Sequence, residues 1–170
     1  MHDDRELAER RIERELWERV LPHVHVDRIA LDMTAGPSFV EQTSFTVGSE
    51  WGAPWGTTWF RLTGDVPDSW RSRQRATRIE AVVDLGFNRS PAGFQAEGLV
   101  VEPRPDGSFR PLQGIHPRRT NYVIDDESTT VELLVQAASN PTFPQFVPSR
   151  QGLPETASTL ASCAATGASE

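Results

Sequence analysis

The chain has 170 residues, of which 37% are hydrophobic and 24% charged, a balance that fits one globular domain of ordinary size rather than a disordered polypeptide. Its formal net charge of −7 excludes nucleic acid and anionic membrane as main partners, since both need a basic footprint. A single cysteine, Cys163, excludes an intrachain disulfide and a thiolate zinc site, while the charged start from Asp3 and the lack of a long apolar run exclude a signal peptide and a membrane span and point to the cytoplasm.

The first predicted element is a helix from Asp3 to Leu21. Asp3 or Asp4 can cap it, and Glu6 suits the positive end of the dipole. Ala8, Ile12, Leu16 and Val20 form one apolar stripe with Trp17 beside it, and Glu6–Arg10 and Glu15–Arg19 are favourable pairs four residues apart. Pro22 is expected to end the helix. The stripe is narrow, so this helix needs a partner surface, on this domain or on another. His23-Val24-His25 on a strand would point both rings the same way. That is half of a metal site with no third ligand nearby, or else a packed or solvated pair.

A short strand is expected over Val26–Leu31, a turn over Ala35–Ser38, and a strand over Phe39–Val47 with Phe39, Thr43, Phe45 and Val47 on one side. Ser49–Leu62 then gathers Trp51, Trp55, Trp59 and Phe60. Gly52, Pro54 and Gly56 bar regular structure in its first half, and the β-branched and aromatic residues from Thr57 onward favour a strand. Each indole offers about 150–250 Å² for burial. These rings either close one end of a sandwich or a domain interface, or stack on a sugar face; the pattern leaves both open.

Arg71–Arg78 reads as an exposed connection. Arg78–Leu85 is the clearest strand, with Ile79, Ala81 and Val83 facing one way and Glu80, Val82 and Asp84 the other. Gly86–Gly93 is a loop. Phe94–Val101 is the next strand, in which Gly98 marks a bulge or a close approach. Asp106-Gly107 signals a turn before Phe109–Ile115. Asn121–Ile124, an acidic turn at Asp125–Ser128 and a strand at Thr129–Ala138 complete the set. Short strands with regular turn signals and one long helix predict a mainly β fold, an antiparallel β-sandwich of jelly-roll or galactose-binding-like type preceded by an N-terminal α-helix. The expected division is a helix over residues 1–22, a sandwich over 23–148, and a low-complexity, disordered tail of Ala, Ser, Thr and Gly over 149–170.

Chemistry-bearing residues are sparse. Asp84 stands at a strand end before Gly86, Asn88 and Arg89, as part of a polar ligand site or as a loop cap. Arg118 and Arg119 follow His116-Pro117, but neighbouring side chains of an extended segment point to opposite faces, which favours salt bridges over a shared anion clamp. Asn140 opens a stiff Pro-rich connection. No nucleophile elbow, phosphate loop, dinucleotide fingerprint or metalloprotease helix is present. The residues assign no catalytic or metal-binding role. The candidate sugar or domain-interface contacts are Trp51, Trp55, Trp59, Asp84, Asn88, Arg118 and Asn140.

Several blocks together resemble the N-terminal region of bacterial α-mannosidases of glycoside hydrolase family 38. They are Trp-Gly-Thr-Thr-Trp-Phe-Arg at 55–61, Glu-Ala-Val-Val-Asp-Leu-Gly-Phe at 80–87 and Gly-Phe-Gln-Ala-Glu-Gly-Leu-Val at 93–100. Gly-Ile-His-Pro-Arg-Arg-Thr-Asn-Tyr at 114–122 and Glu-Leu-Leu-Val-Gln-Ala-Ala-Ser-Asn-Pro at 132–141 complete them, and the likeness covers roughly residues 1–148. The resemblance implies an accessory sandwich ahead of a catalytic domain, which in the family carries a carboxylate nucleophile and a zinc ion and retains anomeric configuration. No residue here matches those motifs, so no cofactor is expected in this chain, although zinc belongs to the full-length family enzyme. The implied partners are that catalytic domain, an α-mannoside and further copies in a homo-oligomer. All 17 basic residues are arginine, the mark of a GC-rich gene, and the tail from Ser149 looks like such a gene read out of frame. The expectation is a truncated or frameshifted α-mannosidase whose sandwich is inactive alone. The rival expectations are an autonomous carbohydrate-binding module built on the tryptophans, and a protein-interaction domain built on the first helix.

Overall fold

A computed structural model describes residues 4–71, 77–87, 95–140, 157–158 and 160–167. The chain starts with helix α1, Arg5–Glu15, followed by a π-helical turn, Leu16–Val20, and a last helical turn α2, Leu21–Val24. The ion pairs Glu6–Arg10 and Glu15–Arg19 form as the spacing predicts, the latter at 3.0 Å. Pro22 does not end the helix. It falls in the first turn of α2, where a missing N–H costs nothing, while Leu21 N–H reaches back five residues to the Leu16 carbonyl and so absorbs the irregularity as a π-bulge. His23 is consequently helical and His25 begins a strand, so the two rings do not share a strand face.

Strand β1 is His25–Ala30, β2 is Asp32–Gly36, β3 is Thr43–Ser44 and β4 is Glu50–Trp51. Strand β5, Thr57–Asp65, precedes a helical turn α3, Asp68–Arg71, and β6 is Thr77–Asp84. Then come β7, Glu97–Pro103; β8, Phe109–Ile115; β9, Asn121–Ile124; and β10, Thr130–Ala138. Two further strands, β11 at Ala157–Ser158 and β12 at Leu160–Gly167, lie in the tail. All strand pairs are antiparallel. One sheet has the order β3-β2-β5-β10-β7-β8, a second the order β1-β12-β6-β9, and β11 pairs with β4 alone.

Alternation decides which side chains meet between the sheets. Phe60 and Leu62 of β5, and Val131, Leu133, Val135 and Ala137 of β10, are buried in one cluster with Ile79, Ala81 and Val83 of β6. Each large aliphatic or aromatic chain buried there contributes about 1.5–3 kcal/mol. The fold is a mainly antiparallel β-sandwich with one N-terminal helical segment, as its sequence pattern predicts. Trp70 closes one margin, 2% exposed, its Nε1 donating to Asp27 Oδ2 at 2.8 Å. Gly98 makes the close approach expected of it: a Cβ there would stand 3.0 Å from Leu85 Cδ1 and 3.1 Å from Val135 Cγ1. No helix among the described residues is long and apolar enough to cross a membrane.

Two further expectations need correction. Only Thr43 and Ser44 of the Phe39–Val47 segment are strand, because its apolar residues serve different surfaces. Phe45 meets Phe60 edge-on at 5.5 Å in the core, whereas Phe39 packs against Trp59 and Phe109. The tail, read as disordered, supplies β11 and β12. Its small residues lack strand propensity, but between β1 and β6 both edges of its backbone find partners, and backbone pairing overrides a weak local preference.

Candidate functional site

The tryptophan-rich loop is fixed by one residue at the end of β10. Ser139, 7% exposed, accepts Trp55 N–H at its carbonyl and donates its own N–H to the Gly56 carbonyl, each at 3.0 Å. Its hydroxyl lies against the carbonyls of Ala53 and Gly56, the latter at 3.1 Å. Gly52 is required here. Its φ is +69°, and a Cβ would sit 2.6 Å from Ser139 Cβ. Trp55 itself takes φ 63°, a left-handed conformation that costs a non-glycine residue about 1–2 kcal/mol and persists only where its surroundings determine it.

The three tryptophans have separate fates. Trp51 is 4% exposed, meets Phe60 edge-on at 5.1 Å, and donates Nε1–H to the Leu85 carbonyl at 3.3 Å. It seals the sandwich end at which β6 finishes. Trp59 lies half-buried with its ring 4.8 Å from Phe109 and 6.2 Å from Phe39. Trp55 is 65% exposed. Asn140 directly follows the Ser139 anchor and is half-buried.

A groove of about 1220 Å³ runs between the N-terminal helical segment and the four-stranded sheet. Arg10, Glu13, Arg14 and Trp17 line it from the helical side, His25 and Arg28 from β1, and Val82 and Asp84 from β6, with Phe87 and Arg118 at its loops. Asp84 and Arg118 are therefore brought to one place, as candidate contacts, whereas Trp51, Trp55, Trp59 and Asn140 do not line the groove. Asn88 lies outside the described residues. Asp84 first serves its own loop: its Oδ1 accepts the N–H groups of Gly86 and Phe87 at 2.9 and 2.8 Å. Arg118 sits in a turn closed by paired backbone bonds between His116 and Arg119, and Arg119 turns to Gln113 Oε1 at 3.0 Å.

Trp17, His25 and Arg28 also line the groove; the sequence marked Trp17 only as a neighbour of the helical stripe and His25 only as half of a His-x-His pair, and gave no signal for Arg28. Arg28 Nη2 lies 2.7 Å from His25 Nδ1. Burial holds the His25 imidazole below its ordinary pKa, the Arg28 charge lowers it further, and Glu80 partly opposes them. The groove thus brings an imidazole whose pKa is lowered together with charged side chains of both signs and the apolar Trp17, Val82 and Phe87. Among the described residues no three His, Cys, Asp or Glu side chains converge as a metal site.

A protein-family model described as the Ams1-like α-mannosidase jelly roll domain matches residues 21–162. That match omits α1 and runs past Ser149, so part of the segment taken to depart from the family falls inside it. No curated protein matches the chain.

Proposed function

This chain belongs to the Ams1-like α-mannosidase jelly roll family, and we propose that it is the accessory sandwich of a cytoplasmic glycoside hydrolase family 38 enzyme acting on terminal α-mannosides. In that reading it has no hydrolase activity of its own and supports the rim of the active site or a subunit interface. The observation that carries the reading is the family match over residues 21–162. Two features support a supporting role. The indoles of Trp51 and Trp59 are spent on internal aromatic packing, and α1 buries none of its residues, leaving Leu7 and Ile12 about two-thirds exposed at 67% and 66%. The purified chain, incubated with an aryl α-mannoside and zinc, should release no sugar; measurable release overturns the proposal. Deleting residues 1–21 should change oligomeric state or solubility if α1 is the interface.

The exposure of Trp55 favours a second reading, an autonomous mannoside-binding module with that indole as its platform. Tryptophan fluorescence titrated with mannose and methyl α-mannoside separates the two. A saturable shift that is lost in Trp55→Ala supports the module, and a flat titration supports the accessory role.

A further inference from the structure

Strand β12 sits inside the four-stranded sheet. Leu160–Gly167 pair along one edge with Asp84–Thr77 of β6, and along the other edge with β1 from Ala30 to His25. β1 and β6 are therefore two strand spacings apart, about 9.6 Å, and cannot bond to each other. β6 gives its second edge to β9, while β12 is the only strand partner of β1 among the described residues. The six-stranded sheet, in contrast, is complete once Ala138 is in place. What remains between β1 and β6 without the tail is a slot one extended strand wide, with unsatisfied donors and acceptors on both sides.

The strand that fills this slot reads Leu-Ala-Ser-Cys-Ala-Ala-Thr-Gly. Such small side chains give a strand little packing preference of its own, so the ladder on its two edges provides most of the recognition. A backbone ladder does not distinguish between chains. Residues 141–156 join β10 to β11; as extended chain they reach up to about 50 Å, against a radius of gyration of about 15 Å for a domain of this length. We propose that β1 and β6 form a strand-acceptor slot, and that Leu160–Gly167 of a second copy enters it in the same register, carrying β11 onto β4 of the acceptor because a single residue separates β11 from β12, so that two chains exchange their last strands. The exchange requires no new contact. Being on the same chain gives a strand an effective concentration of about a millimolar, so the closed monomer dominates in dilute solution and the exchanged dimer grows as protein concentration approaches that value.

The lone cysteine makes the exchange measurable. Ile29 and Cys163 are register partners, and opposed antiparallel residues stand about 4.5–5.5 Å apart at Cα, within disulfide range. An acceptor chain carrying Ile29→Cys and Cys163→Ser is mixed with a differently tagged unaltered chain at about a millimolar, the tether's effective concentration, and oxidised. The proposal expects a mixed disulfide dimer, and far less of it from an acceptor bearing Val40→Cys instead, a position 74% exposed and outside the slot. Within one chain, Ile29→Cys with the native Cys163 should close an intramolecular disulfide in dilute solution. No mixed dimer, or equal amounts from both acceptors, overturns the exchange, and failure of the single-chain disulfide overturns the slot. The same pair built from the other side, with Ala81→Cys facing Cys163 across β6, covers the case in which Ile29→Cys does not fold.

Discussion

Ser139 is the position at which the tryptophan loop can be released with least disturbance elsewhere. Ser139→Ala leaves the backbone bonds to Trp55 and Gly56 and removes only the hydroxyl that serves the Ala53 and Gly56 carbonyls. One buried donor with two acceptors in reach is worth about 1–2 kcal/mol. For a chain of this size that lowers Tm by about 2–8 °C, with the denaturant slope unchanged because the surface exposed on unfolding is the same. Gly52→Ala attacks the same anchor from the other side. It adds a Cβ 2.6 Å from Ser139 Cβ at a φ of +69°, so the clash adds to the backbone strain and its cost exceeds that of Ser139→Ala. Placing Gly52→Ala in a Ser139→Gly background removes the clash and leaves the strain, so the two substitutions should be coupled in a thermal double-mutant cycle. An unchanged Tm for Ser139→Ala, or strict additivity in the cycle, would refute the account of Ser139 as the anchor.

Other consequences are as direct. Trp51→Ala should cost about 3–5 kcal/mol in urea unfolding, because it empties the sandwich end, whereas Trp55→Ala should leave stability within about 1 kcal/mol; equal costs would contradict the assignment of the two rings. Because folding holds the His25 pKa below 6.5, the unfolded chain takes up the proton more readily. Stability is fully present above pH 6.5, declines as pH falls through the window down to the lowered folded value, and then levels off; His25→Gln should flatten that part of a Tm–pH curve. The Arg61–Glu132 pair, 2.6 Å apart but 39% and 65% exposed at the side chains, should show a coupling of about 0–1 kcal/mol that added salt reduces.

The strands that were legible in the sequence are those whose two faces meet different surroundings. β6 follows the period-two reading, because Ile79, Ala81 and Val83 must face a core, and β8, β9 and β10 match their expected bounds to within one residue. Phe39–Val47 misled because its apolar residues are anchors for separate surfaces rather than one face of a strand. Pro22 misled because a proline stops a helix only where its missing N–H is needed. β12 carries almost no local signal: its place is set by the edges that β1 and β6 leave unsatisfied, a property of residues far earlier in the chain. The groove was illegible for a related reason. His25, Arg28 and Asp84 reach one wall only through the pairing of three strands from distant parts of the chain, whereas the Ser139 anchor has no motif at all.

The position of β12 also governs the order in which the protein can be made. During synthesis the six-stranded sheet has all of its strands once Ala138 has left the ribosome, but Ile29 must wait for Cys163 before its own sheet can close. Until then β1 and one edge of β6 are solvated and open to other nascent chains, in a fold already slowed by its long-range pairings. Translation speed over the last codons, and chaperone capture of the chain before release, should therefore decide how much of it reaches the folded state.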